Sequence, residues 1–225
     1  MTKNQSAYIK LTAIISMLVD HLGLLFFPQT ELYRIVGRIA LPLFAYQIGV
    51  SYRHTDFSRY LKRLIFSALI FQTTYVLIAI FIPGAELEPW YLNIFFTLTI
   101  GLILIRLVDF RQYLAGVFIL LIPPVLGYLG VTVDYGVYGV VMILGLFLFQ
   151  QNKVRLMLFL ASHTFLFCFI IEKGASYRQM FCLLALPFII KPLSLPFNIP
   201  KWFFYVFYPA HLVILYGVKI LVDYF

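Results

Sequence analysis

The amino-acid sequence predicts an all-α fold, a polytopic transmembrane helical bundle, and three observations carry that expectation. Of 225 residues, 63% are apolar and only 12% are charged, with mean hydropathy +0.95. A soluble domain carries about 25% charged residues, enough to cover a surface that faces water. The apolar residues gather into nine runs separated by short polar segments. The basic residues concentrate at the ends of those runs, where positive charge marks the cytoplasmic side of a membrane protein.

The first run is Tyr8–Phe27, closed by Pro28. It reads as a retained span, because no small-residue cleavage site follows it. The second is Leu32–Val50, and the third is Tyr60–Ile82, ended by Pro83-Gly84. The fourth is Tyr91–Leu107. The fifth, Tyr113–Leu129, contains Pro123-Pro124 and reads as a broken or re-entrant helix. The sixth is Tyr135–Phe149, the seventh Val154–Ile171, the eighth Tyr177–Ile190 and the ninth Trp202–Val222. Several are shorter than the ~20 residues of a straight span, and terminal Tyr, Trp, Lys and Arg are expected to make up the difference.

Loop charges set the orientation. With the N-terminus inside, the cytoplasmic segments hold Lys3, Lys10, Arg53, Arg59, Lys62, Arg63, Arg106, Arg111, Lys153, Arg155, Lys191 and Lys201, twelve of the seventeen basic residues. The outer segments hold Lys173, Arg178 and Lys219 together with Glu31, Glu86, Glu88, Asp134, Glu172 and Asp223. The expectation is nine spans, N-in/C-out, in one domain over residues 1–225, multi-pass in the cell (cytoplasmic) membrane. The basic residues form no continuous patch, which argues against nucleic acid as a partner. No internal repeat of the kind common in transporters is visible. Cys168 and Cys182 lie inside apolar runs and read as small buried hydrophobes. No Cys or His spacing suggests a metal.

Charged groups inside spans cost roughly 2.5–3.5 kcal/mol each on insertion scales, so they need a partner or a task. Asp20 and His21 lie in the first run, and Arg34 and Arg38 in the second, four apart and on one helical face. His21 is 13 residues beyond Tyr8, about 20 Å along a helix and so in the outer part of a ~30 Å core. The short connection makes these two spans neighbours, and the four residues are expected to meet in one outward-leaning pocket. The plain reading is a structural ion pair, Asp20 with Arg38, beside a satisfied histidine. The functional reading leaves the second arginine and His21 for chemistry or an anionic ligand.

His211 follows Tyr208-Pro209 in the last span. There the proline is expected to kink or unwind the helix and expose backbone groups; a histidine bonded to a nearby hydroxyl is the alternative. His163 reads as a packing residue and His54 as a solvated loop residue. Arg59, Lys62 and Arg63 read as positive-inside anchors or as a phosphate-binding group. Asn93, Thr97 and Thr99 are placed to bridge helices. Gly37, Gly49 and the glycines from Gly136 to Gly145 read as points of close helix approach.

The chain resembles the TraX family, membrane proteins named for acetylation of F pilin. The carriers are Lys10 with Met17-Leu18-Val19-Asp20-His21, then Arg34-Ile35-Val36-Gly37-Arg38-Ile39-Ala40-Leu41-Pro42-Leu43-Phe44-Ala45. Thr55 with Tyr60-Leu61-Lys62-Arg63-Leu64, Asn93-Ile94-Phe95-Phe96-Thr97-Leu98 and Asp134-Tyr135-Gly136 follow. Phe204-Tyr205-Val206-Phe207-Tyr208-Pro209-Ala210-His211-Leu212 completes the set. The resemblance covers nearly the whole length. It implies an acyltransferase that uses cytosolic acetyl-CoA, or another acyl-CoA, as donor. The implied acceptor is exported or in the envelope: a pilin-type peptide N-terminus or a surface sugar of an envelope glycan. It further implies that His21 is the general base or transient acyl carrier and that Asp20 orients it or pairs with Arg38. Arg34 and Arg38 would stabilise the oxyanion or the CoA phosphates, and His211 would be a second proton-transfer or positioning residue. Arg59, Lys62 and Arg63, with Asn93 and Tyr208, would bind the donor. A transporter or channel with the same His/Arg/Asp pocket as its substrate or ion site is the competing expectation, and oligomer formation is left open.

Overall fold

The computed structural model describes residues 1–82, 85, 87–196 and 199–224, without the side chains of Lys201, Tyr205, Asp223 and Tyr224. The end of the third expected span at Pro83-Gly84 and the outer charge at Glu86 lie outside the described residues, as do the side chains of Lys201 and Asp223. All nine expected segments are helical. In order they are α1 (Lys3–Phe26), α2–α3 (Glu31–Gly37 and Ala40–His54), α4 (Phe57–Phe81), α5 (Ile94–Asp109), α6–α7 (Tyr113–Leu120 and Ile122–Tyr128) and α8 (Gly136–Phe149). Then follow α9 (Lys153–Phe165) with a π-helical extension (Leu166–Ile171), a 3-10 helix (Tyr177–Ala185) with α10 (Leu186–Ile190), and α11 (Lys201–Tyr224). Two short strands, β1 (Tyr91–Leu92) and β2 (Thr132–Val133), pair in parallel.

Among the described residues, five segments are long and apolar enough to cross a bilayer: Lys3–Phe26, Glu31–His54, Phe57–Phe81, Lys153–Ile171 and Trp202–Val222. Tyr113–Tyr128, Gly136–Phe149 and Tyr177–Ile190 are apolar but shorter. The surface of α4 shows which solvent the chain is built for. Phe66, Leu69, Ile80 and Phe81 are exposed, while Ser67 and Ala68 are buried. Large apolar side chains on the outside suit hydrocarbon, and the small Ser67 and Ala68, buried with Leu64, Phe71 and Ile78, allow close helix contact on the inside. The protein is a helical membrane protein.

The chain divides into two compact units, each assembled from separate stretches. The first comprises Met1–Arg53 and Met142–Ile199, the second His54–Val141 and Pro200–Phe225, so the division falls within α8.

In the first unit, Thr2 and Gln5 form a capping box at the start of α1, satisfying donors that a helix start leaves open. Asn4 donates to the Leu195 carbonyl at 2.9 Å, and Ser6 donates to Gln47 at 2.8 Å. Gly49 of α3 lies against Phe147 of α8, and Gly145 lies against Phe159 of α9, where a Cβ would overlap the ring. At the opposite end of α1, Phe27 stacks on Tyr33 at 5.0 Å. Arg178 pairs with Glu31 at 2.6 Å, bringing the segment after Gly174 to the start of α2. Gly174 takes φ +88° in the turn that leaves the π-helix, a conformation that costs other residues more.

The 3-10 helix runs for nine residues, longer than such helices usually run. Its three-residue repeat aligns Gln179, Cys182 and Ala185, all buried, on one edge. Cys182 meets Thr164 at 3.3 Å, and Cys168 donates to the Ser176 carbonyl at 3.2 Å. Both cysteines are buried thiols, in line with the sequence.

In the second unit α5 is the buried element, with Leu102 and Ile105 fully inaccessible. Asn93 caps it, accepting from Phe95 N at 3.0 Å while its amide donates to the Ala68 carbonyl and to Gln72, both at 2.9 Å. Asn93 therefore bridges α4 and α5 as expected. Thr97 donates to the Asp134 carbonyl. Thr99 instead bonds within its own helix, to the Phe95 carbonyl. The Pro123-Pro124 segment is broken, with α6 and α7 meeting at Leu121. Proline at the start of α7 sits where a helix needs no N–H donor.

Asn93→Ala removes a cap and two buried bonds at once. It is expected to lower stability by about 2–4 kcal/mol, read as a lower unfolding midpoint in detergent, whereas Thr99→Val is expected to cost under ~1 kcal/mol.

Candidate functional site

The polar cluster forms where α1 and α2 approach most closely. Two glycines permit this. A Cβ on Gly37 would overlap the Asp20 carboxylate, and a Cβ on Gly23 would overlap Tyr33. Each helix thus supplies the notch for the other's side chain. Asp20 can then lie against the backbone of α2, within reach of both arginines.

The pairing differs from the simple expectation. Asp20 Oδ2 accepts from Arg34 Nη1 at 2.9 Å, while Arg38 Nη2 is 3.8 Å from Oδ1. Arg34, not Arg38, is the close partner. Position in the helix explains the exchange. Arg34 lies inside α2, one turn before the end, and reaches straight across to α1. Arg38 is the C-cap residue, with its backbone N–H returned to α2 and its Nε 3.4 Å from the Arg34 carbonyl. Its Nη1 donates to Gln179 Oε1 at 3.2 Å. Arg38 is held by three long contacts and none as short as the Arg34 pair.

His21 follows Asp20 in α1 and is half-buried. Its Nδ1 is 2.8 Å from the Met17 carbonyl. A carbonyl only accepts, so Nδ1 carries the proton in that bond. The neutral ring then carries its lone pair on Nε2, the form a general base needs. Asp20, Arg34, Arg38 and Gln179 are brought together, with His21 adjacent. Arg34 is 27% exposed, and Asp20 and Arg38 are 17% and 16% exposed. The charges are neither open to bulk solvent nor sealed off.

The remaining predicted residues belong to the second unit. Arg59 and Lys62 are exposed in the first turns of α4, where Arg59 N is capped by Asp56 at 2.9 Å. Arg63 donates from Nε to the Arg59 carbonyl and lies 5.7 Å from the Tyr60 ring centre. Asn93 spends its amide on the cap described above, which gives it a structural task. Tyr208 is buried, edge-on to Phe95 at 4.6 Å. His211 is buried, with Nδ1 3.1 Å from the Phe207 carbonyl and its ring stacked on Phe207 at 5.4 Å. Of the two outcomes expected at Pro209, a kink or an unwinding, the unwinding does not occur, since α11 runs through the proline as helix. A proline removes one helical bond, and neighbouring helices can absorb that loss in an apolar setting. His163 stacks on Phe159 at 5.2 Å, a packing role as expected. No group of His, Cys, Asp and Glu suited to a metal ion occurs among the described residues.

Gln179 was not legible as a site residue. A helical period of 3.6 applied to the eighth run does not single it out; the 3-10 repeat does.

A double-mutant cycle separates the two arginines. The coupling of Asp20 to Arg34 is expected at about 1–3 kcal/mol and that of Asp20 to Arg38 below ~1 kcal/mol, measured by unfolding of Asn and Gln variants in detergent.

Comparison with known proteins places the chain. It is 27% identical to a Dichelobacter nodosus protein described as "Probable fimbrial assembly protein FimC, serogroup H1", over 94% of each chain. It is 31% identical to "Uncharacterized protein RP591" of Rickettsia prowazekii (strain Madrid E), over 35% of each chain. No solved structure matches. The sequence model of the family described as TraX protein matches residues 5–219, nearly the whole chain. The protein is a member of the TraX family.

Proposed function

We propose that the protein is an acyltransferase of the cytoplasmic membrane. It moves an acyl group, acetyl first among them, from acyl-CoA to an exported or cell-envelope acceptor. The observation that carries this reading is the hydrogen bond from His21 Nδ1 to the Met17 carbonyl, on the turn of α1 that also carries Asp20, the carboxylate paired with Arg34. TraX membership and a full-length relative described as a fimbrial assembly protein support it. The latter favours a pilin-type peptide amine over a sugar hydroxyl as acceptor.

In this mechanism the acceptor amine or hydroxyl attacks the thioester carbonyl carbon while His21 Nε2 takes its proton. Charge develops on the carbonyl oxygen, and Arg38 is the cation best placed to meet it, because Arg34 is committed to Asp20. The carbon–sulfur bond then breaks. The His21 imidazolium returns its proton to the leaving thiolate, giving the acylated acceptor and CoA with a free thiol. Asp20 holds Arg34 and contributes negative charge beside the protonated ring. The proposed orientation keeps nine crossings with the N-terminus inside, so that the loops at 27–30 and 172–176 face outward.

Purified protein in detergent is expected to release CoA slowly from acetyl-CoA, with water as acceptor. His21→Ala is expected to reduce that rate by about 10²–10⁴-fold without moving the unfolding midpoint. Unchanged release by the variant, or ion flux in liposomes with no CoA release, would defeat the enzymatic reading. For orientation, cysteines introduced at His54 and Gly174 are expected to react with impermeant thiol reagents from opposite sides of the membrane. Labelling from one side would remove the nine-span arrangement.

A further inference from the structure

Gln179 meets the cluster from a third element, and its geometry is incomplete. The side chain is buried, at 6% exposure. Its Oε1 accepts from Arg38 Nη1 at 3.2 Å, which fixes the amide with oxygen toward the guanidinium. The nitrogen of the same amide is buried and donates to no described protein group. A buried donor left without a partner is destabilising, and an apolar side chain at this position would avoid that cost.

The charges around it are unbalanced in one direction. Arg34 and Arg38 are set against the single carboxylate of Asp20, which leaves one positive charge over. On the same elements, Glu31 and Arg178 neutralise one another at 2.6 Å, with Tyr177 3.4 Å from Glu31. Arg38 is the loosely held member of the set, and it is the residue that Gln179 touches. Among the described residues Asp20 Oδ1 accepts no hydrogen bond, and it faces Arg38 at 3.8 Å, so the carboxylate does not saturate that guanidinium.

We propose that Arg38 and Gln179 together form a binding site for a singly charged oxyanion. Arg38 supplies the charge, and the Gln179 amide nitrogen supplies a directional donor beside it. The excess of one positive charge selects a carboxylate-like monoanion over a dianionic phosphate. For the identity of the natural ligand the inference rests on the acyl-transfer reading. There the bound oxygen is the thioester carbonyl oxygen as it gains charge during attack, and Gln179 is a second donor in its oxyanion site.

The test uses full-length protein in detergent and reads the unfolding midpoint against sodium acetate, and separately inorganic phosphate, at constant ionic strength. Acetate is expected to raise the midpoint saturably. Its half-saturating concentration is expected to rise at least ~10-fold in Gln179→Leu and in Arg38→Gln, and to stay unchanged in His21→Ala. Gln179→Glu keeps an acceptor for Arg38, and so the packing, while removing both donors; it is also expected to lose the acetate effect. Equal acetate shifts in the wild type and the Gln179 variants, or no shift in the wild type, would overturn the site. Stronger stabilisation by phosphate than by acetate would overturn the preference for a monoanion. An acetate shift in a protein that releases no CoA would uphold the anion site and defeat the acyl-transfer reading.

Discussion

A carboxylate placed within an apolar helix has to be compensated on the spot, and the cluster around Asp20 follows from that requirement. Water is scarce between packed apolar helices, so the Coulomb attraction to a nearby cation is large and the cost of leaving the charge alone is larger still. Compensation needs α2 close enough for Arg34 to reach. That approach is possible because Gly37 has no Cβ to collide with the carboxylate, and Gly23 makes room for Tyr33 in return. Once Arg34 is taken at 2.9 Å, Arg38 is a second cation with no equally close partner. The surplus that gives the site its proposed chemistry is a by-product of the pairing that holds the helices together.

The irregular helices of the first unit complete the arrangement. A 3-10 helix rises about 2.0 Å per residue against 1.5 Å in an α-helix, so nine residues reach about 18 Å and not about 14 Å. The short Tyr177–Ile190 segment gains length from this. The same winding puts Gln179, Cys182 and Ala185 on one buried edge. The π-helical end of α9 precedes it, and the turn at Gly174 returns the chain toward α2. These departures from α-helix deliver an amide to Arg38 that a regular helix with the same residues would place elsewhere.

The second unit is organised by different forces. Asn93, Gln72 and the Ala68 carbonyl tie α4 to α5 by hydrogen bonds, and Phe71, Phe95, Tyr208 and His211 close an aromatic cluster about α11. A histidine stacked on Phe207 with one nitrogen on the backbone is as much a packing element as a titratable one. This contrasts with His21, which stands in a charged setting.

Helical membrane architecture was determined by the sequence alone, because hydropathy and loop charge depend only on which residues occur and in what order. Membership of the TraX family was legible for the same reason, being carried by residues in a fixed order. So was the meeting of Asp20 with Arg34 and Arg38, since a short loop leaves two adjacent helices little freedom. The tertiary structure decided which arginine the carboxylate holds, because that choice depends on where α2 ends and how near the glycines let it come. It alone brought in Gln179, whose position depends on helix winding and on contacts 141 residues apart in sequence. It also kept α11 wound through Pro209, where local propensity left a kink or an unwinding open. Pairwise order along the chain is written in the residues; the distances at which their side chains meet are set by packing.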